Sequence, residues 1–313
     1  LTKDFPMIAS LSRCACLLAL SGLVALLPLG TAQAASRTVD TAFGALELHG
    51  TPQRVVTLSE NALDTALAVG VTPLGSVATR GGNDVSTYLK GKAGDIKIVG
   101  TARETNLESV FALQPDLILA APALTRDQYQ KLSLIAPTLV PKGNAFADWR
   151  QNVEFYGQAL DKRPEARAAI AAVDARIEGL KGKIEPGQVA SVVRWSPQGP
   201  GVMSHHLFVG QLLGQLGFKG TAMAAELTKK PHSDALSLEN LSRIDGDWLF
   251  LATLNADGDK ALEQARQQPA FARLKAVSSG HVQSVDGQIW SSGAGPLAAQ
   301  VILDDVEKAV TAQ

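Results

Sequence analysis

Between residues 144 and 182 the chain carries two amphipathic runs that a pair of helices satisfies, and similar sequence lies on either side of them. From Asn144, placed as an N-cap, Trp149, Val153, Tyr156 and Leu160 recur at helical spacing. The pattern restarts at Pro164, a residue suited to a first helical turn. Ala166, Ile170, Val173, Ile177 and Leu180 then form one apolar stripe, with Glu165, Arg167, Asp174, Arg176, Glu178 and Lys181 on the other faces and Gly182 at the end. A helix over 164–181 would be a rod about 27 Å long at about 1.5 Å per residue. Such a spine joins two domains without a flexible linker.

The flanking sequence supports two domains of one design. Residues 106–121 align without a gap with 237–252 at an offset of 131: Leu107 with Leu238, Glu108 with Glu239, Asp116 with Asp247, Ala121 with Ala252. Residue classes match between these identities, with Asn106 and Ser237 as N-caps, Pro115 and Gly246 as breakers, and Leu117–Leu119 and Trp248–Phe250 as buried strands. A helix followed by a strand in each half accounts for the match; a cap and an apolar strand recurring by chance is the plainer alternative.

The rest of the chain alternates in the same way. Val55–Leu58, Asp116–Leu119, Val189–Val193 and His281–Val285 read as strands, mostly buried, and Pro73–Gly75 begins another; Ile96–Val99 leads to Gly100, Pro137–Val140 ends the first lobe, and a short helix, from Leu63 to Gly70, follows Val55–Leu58. Gln288-Ile289-Trp290 reads as a loop and Pro296–Val310 as a closing helix of the second half. Gly293-x-Gly295-x-x-Ala298 has the outline of a dinucleotide fingerprint, but the chain stops before a βαβ unit could follow, so the glycines read as a turn before a helix. The expected fold is α/β: two lobes, each a mostly parallel β-sheet flanked by helices, bridged by one long α-helix. The expected segments are 1–34, 35–143, 144–183 and 184–313.

The first of these is expected to be an export signal. Arg13 precedes an uncharged run that reaches Arg37 and ends in the small-x-small triplet Ala32-Gln33-Ala34. Met7 is a natural start, which would leave residues 1–6 untranslated. An uncleaved anchor is the rival reading, and Ser21, Gly22 and Pro28 speak against it. Cys14 and Cys16, the only cysteines, lie at the front of the apolar run, outside the context a lipoprotein signal needs, so a periplasmic protein without a lipid anchor is expected. Cleavage would leave 279 of 313 residues, enough for two cores, with no cysteine and hence neither disulfide nor thiolate metal site. The whole chain carries −1 and the mature part 27 basic against 29 acidic residues, and no basic tract suggests nucleic acid.

Taken together, Pro52-Gln53-Arg54-Val55-Val56, the Leu63–Gly75 segment, Val99-Gly100 with Arg103, Asn106-Leu107-Glu108, Gln114–Ile118, Ser237-Leu238-Glu239 and Trp290–Ala298 resemble the periplasmic substrate-binding proteins of iron-siderophore and cobalamin ABC importers. The likeness covers nearly the whole mature chain. Gly100-Thr101-Ala102-Arg103 and Arg194-Trp195 look most like the ferric-citrate and ferric-hydroxamate branch. The resemblance implies a ferric siderophore held between the lobes, delivery to a permease dimer, a monomeric protein, no stable membrane insertion and no resident cofactor or metal. It also implies that Glu108 and Glu239, one per lobe, face arginines of the two permease subunits. Without function, each glutamate is accounted for as a charge in a first helical turn, worth roughly 0.3 to 1 kcal/mol.

Ferric siderophores saturate their metal, so a protein recognises their oxygens and apolar rims. Guanidinium offers a rigid fork of donors and indole a flat face with one donor. Arg80, Arg103, Arg194, Trp195 and Trp290 fall after strands or in loops, where an open α/β lobe presents its ligand. They form the candidate ligand-binding set with Asn61; His232 carries less weight. By default an Arg in a loop is only solvated and a Trp is packed. The alternatives are haem, cobalamin, a free transition metal or, from another class, a periplasmic enzyme. A zinc or manganese carrier would need several converging His and carboxylate ligands, and His205-His206 is the only cluster; adjacent residues point apart, so a solvated or packed pair is expected. No nucleophile elbow, His-Glu-x-x-His or phosphate loop is present.

Overall fold

Short apolar runs bounded by Gly, Pro and polar residues become strands buried on both faces. The protein is described by a computed structural model over residues 36–144 and 148–311, so the expected export signal lies outside the described residues. A hairpin, β1 (Ser36–Thr41) and β2 (Gly44–His49), precedes the first sheet. That sheet contains β3 (Val55–Leu58), β4 (Gly75–Ala78), β5 (Lys97–Thr101), β6 (Leu117–Ala120) and β7 (Thr138–Leu139). Its order is β5-β4-β3-β6-β7 and all pairs are parallel. Helices α1 (Glu60–Ala68), α2 (Thr87–Ala93), α3 (Leu107–Ala112) and α4 (Arg126–Ser133) connect the strands. Strand alternation divides the apolar residues cleanly: Val55, Leu117 and Leu119 enter one core, and Val56, Leu58, Ile118 and Ala120 enter another on the opposite face.

Two helices follow, α5 (Trp149–Ala159) and α6 (Arg163–Lys181). The cap of α5 is Asp148, whose carboxylate accepts from Arg150 N at 2.8 Å, and not Asn144, because the helix begins only at Trp149. In α6 the expected stripe is the inner face: Ala166, Val173, Ile177 and Leu180 are buried and Ile170 packs on the same core. The two helices approach so closely that a Cβ on Gly157 would meet the Ala166 methyl at 2.4 Å.

The second sheet comprises β8 (Val189–Ser196), β9 (Gly199–Val202), β10 (Lys219–Gly220), β11 (Trp248–Thr253) and β12 (Val282–Asp286). It runs β10-β8-β11-β12 in parallel, with β9 antiparallel on β8. Its helices are α7 (Phe208–Leu216), α8 (Ala222–Glu226), a 3₁₀ segment Leu238–Ile244, then α9 (Ala256–Arg266), α10 (Pro269–Ala272), α11 (Lys275–Ser278), α12 (Gly287–Ser292) and α13 (Pro296–Thr311). Gln288-Ile289-Trp290, expected as a loop, lies in α12, because Asp286 caps it by accepting from Gln288 N. Among the described residues no helix is long and apolar enough to cross a membrane.

The sequence repeat is a structural one. Starting from Leu107 and Leu238, each copy leads to a strand, β6 or β11, that pairs in parallel with the first strand of its sheet, β3 or β8. The matched aspartates anchor that pairing: Asp116 accepts from Gln53 N and Arg54 N, and Asp247 accepts from Val189 N at 2.7 Å. The helices differ. Asn106 caps α3 by accepting from Ser109 N at 2.9 Å, whereas the Ser237 hydroxyl is taken by Asn240 Nδ2, caps no backbone group, and leads into a kinked 3₁₀ segment.

The last helix, expected to close the second lobe, also braces the first. Asp64 of α1 accepts from Leu297 N at 3.0 Å, Ala298 N at 2.8 Å and the Tyr88 hydroxyl at 2.9 Å. One core runs from Leu117 and Leu119 through Trp149 and Val173 to Phe250, Trp290 and Ile302, so the helical layer is packed on both sheets. Burial pushes the Asp64 carboxyl up to about 7 against the pull of its three donors.

Candidate functional site

In parallel sheets the loops at the carboxyl ends of the strands are free to carry a site, and here three consecutive strands of the first sheet end in one cleft. Ser59, Glu60 and Asn61 follow β3, Thr79 and Arg80 follow β4, and Ala102 and Arg103 follow the end of β5. The facing wall comes from Arg194 of β8, Met203, Leu207, Phe208 and Val209, with the 290–294 segment as floor. The cavity measures about 640 Å³, within the size range of small-molecule sites.

Local structure fixes the charged wall. Gly100 adopts φ +113°, and a Cβ there would meet the Glu104 carbonyl at 2.4 Å. This allows a tight turn closed by Thr101 N donating to Glu104 O at 2.9 Å, with Arg103 at its tip. On the neighbouring turn Glu60 Oε1 accepts from Arg80 N at 3.0 Å and from the Thr79 hydroxyl. Arg80 and Arg103 are exposed and Arg194 is half-buried. No guanidinium of the three has a hydrogen bond or ion pair to a described residue. Burial, and then the charge of Arg80, pulls the Arg194 guanidinium below its ordinary range. Two like charges thus face each other across the cleft, and neither guanidinium forms an ion pair with a described residue. Two further polar atoms here are shut off from solvent without a partner, Glu60 Oε2 and Ser292 Oγ.

The structure gathers Asn61, Arg80, Arg103, Arg194, Trp290 and His232 around the cleft but leaves Trp195 out. β8 continues to Ser196, so adjacent residues face opposite sides: Arg194 meets the cleft, and Trp195 is buried edge-on to Phe271 in the core behind it. Trp290 forms floor, stacked on Phe250 at 4.6 Å, and its indole N–H is committed to Asp305 at 2.9 Å. His232 Nδ1 lies 2.7 Å from the Ser233 carbonyl. Glu60 was missed because an acid in a first helical turn needs no function. The apolar wall of Met203, Leu207 and Phe208 was missed because no local pattern marks it.

The other candidates lie elsewhere. His205 and His206 have rings 6.2 Å apart, with His206 Nε2 3.0 Å from the Ala225 carbonyl. Among the described residues no group of three His, Cys, Asp or Glu side chains is placed to hold a metal ion. Tyr156 is buried with its hydroxyl on the Ala120 carbonyl at 2.8 Å, and Tyr129 stacks on Phe43. Glu108 and Glu239 are exposed. Each stands near the carboxyl end of a strand of its own sheet: Asn106 N bonds Val99 O of β5, and Leu236 N bonds Pro200 O beside the end of β8.

Comparison with known proteins agrees with this architecture. The chain is 33% identical over 283 residues to the probable siderophore-binding lipoprotein YfiY of Bacillus subtilis, covering 87% of each chain. It is 26% identical to the Fe(3+) dicitrate-binding periplasmic protein FecB of Escherichia coli, covering 87% of this chain and 89% of the relative. Staphylococcus aureus SirA, solved in complex with staphyloferrin B, superposes with a TM-score of 0.77 at 26% identity over 88% of this chain and 98% of SirA. A family profile described as periplasmic binding protein matches residues 55–289, and the chain therefore belongs to the periplasmic binding protein family.

Proposed function

We propose that this protein captures a ferric siderophore in the interlobe cleft and delivers it to an inner-membrane ABC importer. The observation that carries the reading is the convergence on one cleft of three guanidiniums without hydrogen-bonded partners, Arg80 and Arg103 from the first lobe and Arg194 from an otherwise apolar facing wall. Such a site suits a bulky, oxygen-rich anion, because each fork of donors can take two ligand oxygens while Met203, Leu207 and Phe208 cover the carbon skeleton. The names of YfiY and FecB and the ligand of SirA point to the same ligand class.

Delivery is assigned to Glu108 and Glu239. Matching exposed charges on matching segments suit a transporter with two similar subunits, and Phe111 and Leu238, 67% and 43% exposed, set an apolar side chain close to each in the chain. Exposed ion pairs contribute about 0.2 to 1 kcal/mol, so these would orient the docked complex more than hold it. The protein acts outside the cytoplasm. The Bacillus relative is named a lipoprotein and the Escherichia coli one periplasmic, and the mass of the mature amino terminus distinguishes the two forms.

The test is titration of purified protein with ferric citrate, a ferric hydroxamate and a ferric catecholate, followed by tryptophan fluorescence, with Trp290 as the reporter in the cleft floor. Saturable one-to-one quenching by at least one complex is expected, with no chemical change in it. Tight binding of zinc, haem or cobalamin while every ferric chelate fails would replace this reading, and turnover of a bound compound would make the protein an enzyme.

A further inference from the structure

Among the described residues Glu60 is the one carboxylate that lines the cleft, and its two oxygens are treated differently. Oε1 holds the Arg80 turn through Arg80 N and the Thr79 hydroxyl. Oε2 lies in a half-buried side chain, out of contact with solvent, and has no partner. The groups around it are of mixed sign. Arg80 is the cation that favours its ionised form; Asp286, from the start of α12, opposes it, and Asp64 one turn further along α1 is a second acid nearby. Tyr88 of α2 gives its hydroxyl to Asp64, not to Glu60.

An anion arriving in the cleft changes this balance in one direction. It engages Arg80, the charge that compensates Glu60, and it brings negative charge of its own beside a carboxylate already poorly hydrated. We propose that Glu60 is a proton-coupled specificity residue: capture of an anionic chelate by Arg80, Arg103 and Arg194 draws one proton from solvent onto Glu60 Oε2. Oε1 keeps both of its donors, so the Arg80 turn stays in place while the charge beside it is removed. The cleft thereby gains one unit of positive charge on binding and favours the more highly charged carboxylate-type chelates as pH falls. Burial, which already holds the Glu60 carboxyl above the usual carboxylate range, acts in the same sense. This inference rests on the anion-binding reading of the cleft.

The test compares the wild type with Glu60→Gln, whose amide oxygen can accept the same two hydrogen bonds. Ferric citrate in excess citrate is titrated calorimetrically at several pH values, in pairs of buffers with different ionisation enthalpies. The wild type should take up close to one proton more than the variant, and its Kd should rise with pH by up to about tenfold per unit relative to the variant's, the limit for one coupled proton. At pH 8 Glu60→Gln should bind the more tightly. Equal proton uptake and parallel pH profiles in the two proteins would overturn the role of Glu60 and leave the arginine cleft standing. No saturable binding by either would overturn both.

Discussion

The two walls of the cleft are built on opposite principles. The first lobe contributes charge at strand ends: Arg80 and Arg103 stand exposed on short turns pinned by Glu60, Thr79 and the Gly100 backbone. The second lobe contributes shape, with Met203, Leu207, Phe208 and Val209, and sets a single charge, Arg194, among them. A guanidinium in water loses little when unpaired, whereas a half-buried one has already given up hydration and regains it only through a ligand. The lesson is that Arg194 should count for more than either exposed arginine, although the first lobe carries more of the charge.

The largest expected effect is therefore on Arg194. Arg194→Ala should weaken binding of a ferric siderophore by about 3 kcal/mol, somewhat over a hundredfold in Kd, and should leave the empty protein no less stable, because a desolvated like charge is removed. Next, Arg80→Ala and Arg103→Ala should each cost about 1.5 kcal/mol, roughly tenfold. Calorimetric titration of the three variants breaks the comparison if the order is reversed. Changing both Glu108 and Glu239 to Arg should spare both walls: ligand affinity stays within about twofold, the melting temperature shifts little, and iron uptake by cells is lost. Normal uptake would remove the docking assignment.

A smaller effect concerns stability and pH. Glu60 and Asp64 both have carboxyls raised by burial, Asp64 to about 7. Groups of this kind favour folding below their unfolded value near 4 and lose that contribution as pH rises through the folded value. The wild type should lose stability between about pH 4 and pH 7, and Glu60→Gln should lose less over the same window and above it. Melting curves that coincide for the two proteins at pH 4 and at pH 8 would contradict this. The smallest effect is on shape. With one core shared by both sheets and Asp64 tying α13 to α1, the radius of gyration should change by less than about 1 Å on binding, whereas periplasmic proteins with hinged domain closure move further.

Much of this was legible in the sequence, and what was not has physical causes. Buried parallel strands announce themselves as unbroken apolar runs, so Val55–Leu58 and the Trp248–Phe250 part of β11 needed no structure. The stripe of α6 and the spacing of Asp116 and Asp247 were equally plain, since periodicity and offset are local properties. That Arg80, Arg103 and Arg194 line one cleft could be anticipated because they follow or end strands, where such lobes open their loops. Trp195 was misplaced because β8 runs three residues past Val193, to Ser196, and strand alternation turns the indole away from the cleft that Arg194 meets. The Ser237 segment followed its counterpart in sequence but not in geometry, because Asn240 competes for the capping hydroxyl. The apolar wall and the contact of α13 with the first lobe depend on residues more than a hundred positions apart, and no local signal encodes them.

The most direct test of the arginine cleft is native mass spectrometry of the protein taken from iron-limited cells, beside a variant with Arg80, Arg103 and Arg194 all changed to Ala. The cleft described here predicts a one-to-one complex with an iron-containing anionic chelate in the wild type and an empty, folded triple variant. Retention of the same chelate by the variant, or a wild type that carries only a bare metal ion, would contradict it.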